Sequence, residues 1–220
     1  MKKILLILTI CFSLMSCGEK TIDGDQLQKR NGIYYEVNQS KPFTGKVIEY
    51  YENGQAKREE SYKKGKLDGK MVSYYENGQI KFEINLKKGK MDGKVVSYYE
   101  NGQIQFEYYN KQGSQEGRDI SYYENGQIES ELNYKNGEPN GKCISYKLNG
   151  YINFEGYYKD RVLYKDGKLY TGKQIRYYEN GQIKSENNYK NGKQEGKQIY
   201  YGKDGEIKLE LNYKDGELVY

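Results

Sequence analysis

The string Tyr-Tyr-Glu-Asn-Gly-Gln begins at Tyr50, Tyr74, Tyr98, Tyr122 and Tyr177, and its first four starts lie 24 residues apart. Degenerate copies begin at Tyr146, another 24 residues on, and at Tyr201. A second marker, Gly followed by Lys or Arg, stands at Gly45, Gly69, Gly93, Gly117, Gly141, Gly172 and Gly196, with successive spacings of 24, 24, 24, 24, 31 and 24. Repetition this regular confines the chain to a tandem array. Each unit is one supersecondary element too small to bury its own apolar side, and it is stabilised by its neighbours.

Counted from the Gly-Lys marker, apolar residues fall at unit positions 4, 6, 12, 14, 16 and 18. In the second unit these are Val72, Tyr74, Ile80, Phe82, Ile84 and Leu86. Alternation of period two means β-strand, and a unit of this length holds two strands and two turns. A two-residue Asn-Gly turn would set the apolar residues of the two strands on opposite faces. A three-residue loop, Glu76-Asn77-Gly78, places Tyr74 opposite Ile80 and Val72 opposite Phe82, all on one face. Register follows the hydrophobic pattern, so the expectation is a type I turn with a bulge and Gly78 at positive φ.

The one irregular spacing coincides with a repeated lead-in. Before Gly45 the chain reads Ile-Tyr-Tyr-Glu-Val-Asn-Gln-Ser-Lys-Pro-Phe-Thr; before Gly172 it reads Val-Leu-Tyr-Lys-Asp-Gly-Lys-Leu-Tyr-Thr. Both end in an aromatic residue and Thr. The array thus divides into two repeat blocks, 32–159 and 160–220. The expected fold is all-β: an elongated antiparallel meander of 24-residue hairpins in a single twisted sheet.

Composition fits this reading and no compact one. Leu, Ile, Val and Phe make up roughly a fifth of the 220 residues, a level at which chains often stay disordered, yet Tyr numbers 27 and Gly 26. Tyrosine rings cover area in a thin sheet where leucine would fill a thick core. There is no His, which excludes His-dependent triads, bases and metal sites.

The N-terminus reads as an address. Lys2 and Lys3 precede an apolar run, Ile4 to Met15, too short to span a bilayer, and Leu14-Met15-Ser16-Cys17 follows. This resembles a bacterial lipobox, which implies a signal peptide over 1–16, lipid on Cys17, a polar tether over 17–31, and attachment to a membrane facing the periplasm or cell exterior. An ordinary signal peptide with a chance cysteine is the alternative. Of the three cysteines, Cys11 leaves with the signal and Cys17 carries lipid. Cys143 is then alone, so no intramolecular disulfide is expected.

Tandem Tyr-Tyr-x-Asn-Gly-Gln with a Gly-Lys start resembles the bacterial variant of the MORN repeat, over roughly Gly32 to Tyr220. The resemblance implies a non-enzymatic hairpin array that binds or scaffolds. Proteins with this variant are also classed with YwqK-like antitoxins, which implies a toxin as partner under a second reading. A cell-envelope glycan is a third.

No unique polar constellation interrupts the repeats, so no enzyme, cofactor or metal site is expected. Gly167–Lys173 matches the glycines and lysine of a phosphate-binding loop, but Gln174 stands where Ser or Thr is needed. Asp23-Gly24-Asp25 begins like a calcium loop without its later ligands. A net charge of +5 and an exported chain argue against nucleic acid as partner. Glu at unit position 15 and Lys or Arg at position 2 recur throughout; they read as cross-strand pairs, or as a charged stripe that meets a partner. Tyr51, Tyr75, Tyr99, Tyr123 and Tyr178, at position 7, fall on the polar face in this register. They are the candidate partner-binding residues, the alternative being that their rings cover their own sheet.

Overall fold

The computed structural model describes residues 19–220. The signal segment and Cys17 therefore lie outside the described residues. What is described is built of β-strands and turns, with one short 3-10 turn at Gly24–Gln26. The lead-in contains β1 (Thr21–Asp23), β2 (Leu27–Arg30) and β3 (Ile33–Glu36). Five hairpins follow: β4 (Gly45–Tyr50) with β5 (Ala56–Lys63), β6 (Lys66–Tyr74) with β7 (Ile80–Lys87), β8 (Lys90–Tyr98) with β9 (Ile104–Lys111), β10 (Ser114–Tyr122) with β11 (Ile128–Lys135), and β12 (Glu138–Tyr146) with β13 (Ile152–Lys159). The second lead-in gives β14 (Val162–Lys165) and β15 (Lys168–Leu169). The last strands are β16 (Gly172–Tyr177), β17 (Ile183–Lys190), β18 (Lys193–Tyr201), β19 (Ile207–Lys214) and β20 (Glu217–Val219).

The Asn-Gly corner has the expected form. Gly78 N–H donates to the Tyr75 carbonyl at 2.9 Å, and Tyr75 N–H donates to the Gln79 carbonyl at 2.8 Å. Gly78 has φ +84°, and its equivalents Gly54, Gly102, Gly126, Gly150, Gly181 and Gly205 have φ between +81° and +84°. Tyr74 pairs with Ile80, as the pattern requires. One step further the expectation fails: Ser73, not Val72, pairs with Phe82, and Val72 pairs with Glu83. Lys81 is an extra residue opposite the ladder, a bulge that returns the second strand to the other face. Val72 and Glu83 therefore share one face, while Met71, Phe82 and Ile84 share the other. Neither face is wholly apolar. Because such a bulge asks for no special residue, periodicity does not betray it.

The other turn is the tight one. Lys88 and Gly89 have φ +52° and +81°, a two-residue type I′ connection, and Lys87 pairs with Lys90 across it. The Gly-Lys marker follows, where Asp68, Gly69 and Lys70 together oppose Ser61. Gly69 has φ +122°, and a Cβ there would lie 2.9 Å from the Cβ of Ser61. At Gly69, and likewise at Gly93, the marker is thus a bulge with no room for a side chain.

The strands form three sheets rather than the single sheet expected: thirteen strands (β1, β4–β15), five (β16–β20) and two (β2–β3). The physical reason lies in the second lead-in. Leu163 N–H donates to Gly192 O, Tyr170 N–H to Leu163 O, and Gly192 N–H to Tyr170 O, at 2.7–2.9 Å. Tyr34, Gly65 and Phe43 make the same three bonds in the first lead-in, at 2.7–3.0 Å. The second lead-in thus ends the long sheet, its β14 taking part of the edge of β13, and leaves β16 to begin another. The five-stranded sheet then folds back on the end of the long one. Asn153 Nδ2 donates to the Ile175 carbonyl at 2.7 Å, and the hydroxyls of Tyr158 and Tyr189 meet at 3.1 Å.

Residues 17–31 are not a tether throughout. From Thr21 on they are ordered, with β1 adding in parallel to β4 and Ile22 opposite Val47. Ile22, Phe43, Val47 and Tyr62 form a buried cluster joined by Leu27, Tyr34 and Leu67. Burying Ile22, worth about 1.5–3 kcal/mol for a side chain of this size, binds the segment to the array.

Candidate functional site

The tyrosine row is brought together as one continuous ladder in the first block, but it faces the protein. The hydroxyls of Tyr51, Tyr75, Tyr99 and Tyr123 donate to the carbonyls of Tyr74, Tyr98, Tyr122 and Tyr146, all at 2.7 Å, and Tyr178 donates to Tyr201 at 2.6 Å. Each ring lies over the corner of the next unit. Asn at unit position 9 adds a second bond of the same sense: Asn53 Nδ2 to Glu76 O at 3.0 Å, and Asn101 Nδ2 to Glu124 O at 2.9 Å. The Tyr-Tyr-x-Asn-Gly signature is therefore a stacking device. None of the five tyrosines is classed as exposed, and burial together with the Glu129 carboxylate pushes the Tyr123 hydroxyl up to about 12. The rings are thus not on an open polar face: the Lys81 bulge puts Phe82 and Ile84 on the face of Ser73 and Met71, which was expected to be polar. Lys147 replaces tyrosine in the fifth unit and ends the first ladder.

Glu at position 15 and the basic residue at position 2 form pairs within their units: Lys70–Glu83 at 2.7 Å, Lys142–Glu155 at 2.8 Å and Lys197–Glu210 at 2.6 Å, with Lys94–Glu107, Arg118–Glu131 and Lys173–Glu186 alike. The glutamates also accept from the next unit. Tyr74 donates to Glu59 and Tyr122 to Glu107 at 3.0 Å, and Tyr146 to Glu131 at 3.2 Å. The Lys94 ammonium holds the Glu107 carboxyl below its ordinary range. Being half exposed, such pairs contribute at most about 1 kcal/mol each.

Where the two sheets face each other the interior is polar. Lys184 Nζ lies 2.7 and 2.6 Å from the two oxygens of Glu129, which is 2% exposed. Burial pushes the Asp119 carboxyl up, while Gln115 at 2.7 Å and the charge of Arg176 pull it back. Cys143 is buried here and its thiol is pushed up to about 11 by that burial, which leaves it protonated and unreactive at neutral pH. Among the described residues no cluster of Cys, Asp or Glu is arranged to hold a metal ion. Gly167–Lys173, the partial phosphate-loop match, is turn and strand, with no helix to follow.

Large apolar side chains are turned outward at the terminal strands, where Ile207 is 57% and Leu209 48% exposed, and where the blocks meet. Tyr151 is 71% exposed, Ile152 52%, Tyr157 50% and Leu169 48%. A groove of about 1000 Å³ runs beside them, lined by Ile152 through Tyr157 on one side and Tyr164 through Gly167 on the other. Sequence reading did not single out these residues. The signal was the 31-residue spacing, which marks where one strand must leave its neighbour.

The family described as MORN repeat variant matches six segments: residues 43–64, 67–88, 91–110, 115–136, 170–191 and 194–215. Together they cover more than half of the chain. The unmatched stretch between 136 and 170 is the degenerate fifth unit and the second lead-in. No curated protein matches the chain.

Proposed function

Because the chain belongs to the MORN repeat variant family, whose arrays are protein- and membrane-binding modules, we propose that it is a non-enzymatic binding module held at a bacterial membrane by lipid on Cys17. The observation that carries this reading is the aromatic and aliphatic surface at the block junction, where Tyr151, Ile152 and Tyr157 are each at least half exposed. Elsewhere the signature side chains serve the next unit. Large amphipathic rings beside aliphatic groups are the anchors of protein interfaces.

The lipid reading rests on the Leu14–Cys17 motif. β1 begins four residues after Cys17, a span of at most about 14 Å, so the anchored array would lie close against the bilayer. A single acyl signal binds weakly, whereas the several chains of a lipoprotein anchor hold firmly. Two measurements on the full chain test the reading. Palmitate labelling should mark the wild type and not Cys17→Ala. Affinity capture with the detergent-solubilised lipoprotein should retain a partner that a Tyr151→Ser, Tyr157→Ser variant loses. Label on both forms, or identical capture by both, would refute the anchor and the surface respectively. A toxin among the captured proteins would specify the immunity role.

A further inference from the structure

In every regular unit the second strand is paired on both edges. On its far edge it takes the first strand of the next unit: β7 takes β8, with Glu83 opposite Val96 and Phe82 opposite Ser97. β9 takes β10, with Glu107 opposite Ile120 and Phe106 opposite Ser121. The strands there read Ile80-Lys81-Phe82-Glu83 and Ile104-Gln105-Phe106-Glu107, with Phe and Glu of each stretch in the ladder to the next strand. β13 repeats that pattern as Ile152-Asn153-Phe154-Glu155. Yet β14 pairs with β13 only at Tyr157, Tyr158 and Lys159, and β16 belongs to the other sheet. Residues Ile152 to Glu155 thus have no strand on their far edge among the described residues. The junction groove is lined by these consecutive residues, as an open strand edge requires.

Glu155 carries the imprint of what is missing. Glu59, Glu107 and Glu131 each accept a tyrosine hydroxyl from the adjoining strand. Among the described residues Glu155 accepts from Lys142 alone, and its side chain is 48% exposed against 20% for Glu107. We propose that this edge is a strand-addition site that takes an extended segment of a partner protein reading aliphatic-Ser-Tyr-Tyr. The incoming backbone pairs with Ile152–Glu155, the aliphatic residue lies opposite Glu155, the serine opposite Phe154, and the first tyrosine donates to the Glu155 carboxylate. Main-chain bonds supply the affinity and alternate side chains the selectivity. This chain shows the fit itself: its own Ile120 and Ser121 pair with Glu107 and Phe106 of β9, and Tyr122 donates to the Glu107 carboxylate. The proposal rests on the reading of the array as a protein-binding module and narrows it to one edge and one class of ligand.

The test uses the full chain and a capped peptide with the sequence of Arg118–Tyr123. Fluorescence anisotropy should show saturable binding, and hydrogen exchange should show new protection confined to the amides of 152–155. Glu155→Ala should weaken the peptide roughly tenfold, the size of a hydrogen bond to a charged acceptor. The peptide with phenylalanine at its first tyrosine should show the same loss on the wild type and no further loss on Glu155→Ala. Glu155 lies on an edge and half in solvent, so the variant should keep the wild-type melting temperature. If it does not, Glu155→Gln serves in the same cycle. Absence of saturable binding, additive losses in the cycle, or protection at the similar terminal edge Ile207–Glu210 instead would overturn the proposal. Partner capture that persists in Glu155→Ala after such a failure would leave the module reading standing and remove only the edge.

Discussion

The Tyr75 hydroxyl donates to the carbonyl oxygen of Tyr98, one unit further on, at 2.7 Å. The bond explains why a chain poor in aliphatic residues folds. Each unit contributes a broad ring and a polar tip, and the tip satisfies a backbone acceptor of the neighbour that the ring shields from water. Tyr75→Phe should therefore cost about 1–3 kcal/mol, because it leaves the Tyr98 carbonyl shielded and unpaired. Urea denaturation measures this. The triple substitution Tyr75→Ser, Tyr99→Ser, Tyr123→Ser also removes the rings, and it should abolish the cooperative transition of the first block. A triple variant that folds normally would return the row to the role of a binding surface.

Gly89 and Gly192 occupy the same type of turn at φ +81° and +77°, but only one is pressed by the chain. A Cβ on Gly89 meets nothing within 4 Å; on Gly192 it would lie 2.5 Å from the Val162 Cγ1 and 2.6 Å from the Leu163 carbonyl. Gly89→Ala should thus cost only the strain of positive φ, about 1–2 kcal/mol. Gly192→Ala must in addition displace the second lead-in, and should lower the melting temperature by clearly more. Equal shifts would show that the lead-in does not hold the second sheet.

These contrasts mark what the residue pattern made legible. Alternation and the Asn-Gly corner disclosed the three-residue loop down to the sign of φ at Gly78, because only one loop length puts Tyr74 opposite Ile80. The position 2 to position 15 pairs were legible for the same reason, recurrence at fixed offset. The Lys81 bulge was not, since no residue type is demanded at the extra position. Without it Phe82 and Ile84 were assigned to the face of Val72, and the face of Ser73 came out polar. The return of the second sheet onto the first was hidden as well. The 31-residue spacing located the break, but nothing in a repeat marks which equivalent positions close on each other: Lys184 and Glu129 both stand at unit position 13, 55 residues apart. The junction groove followed from that closure and was invisible for the same cause.

The Lys184–Glu129 pair and the Lys70–Glu83 pair have similar distances and different surroundings. The Glu129 side chain is 3% exposed and the Glu83 side chain 20%, with Lys70 half in solvent. Removing Lys184 strands a carboxylate between the sheets, which costs about 3–5 kcal/mol for a buried pair, whereas removing Lys70 costs at most about 1 kcal/mol. Lys184→Met should therefore separate the sheets before it unfolds either. Small-angle scattering should report a larger radius of gyration at temperatures where the far-ultraviolet circular dichroism is still native. Lys70→Met should leave both unchanged. A compact Lys184→Met protein would refute this assignment of the sheet contact.

Alkaline pH tests the ladder without mutation. Burial pushes Tyr123 up to about 12, and burial with the Glu59 bond pushes Tyr74 up to about 12 as well, against about 10 for an unfolded tyrosine. In both cases the folded state binds the phenolic proton more tightly than the unfolded state does. The stability this supplies is fully present below pH 10 and is lost as pH rises from 10 to 12. The melting temperature should hold from neutral pH to about 9 and then fall steeply, together with a cooperative rise in tyrosinate absorbance. Loss of lysine charge at high pH also loosens the exposed pairs, but those contribute little each. Tyr123→Phe separates the two causes. It removes one raised phenol and keeps every lysine, so its melting temperature should start lower at pH 8 and fall less between 10 and 12. A slope equal to that of the wild type would assign the alkaline loss to the lysines and not to the tyrosine ladder.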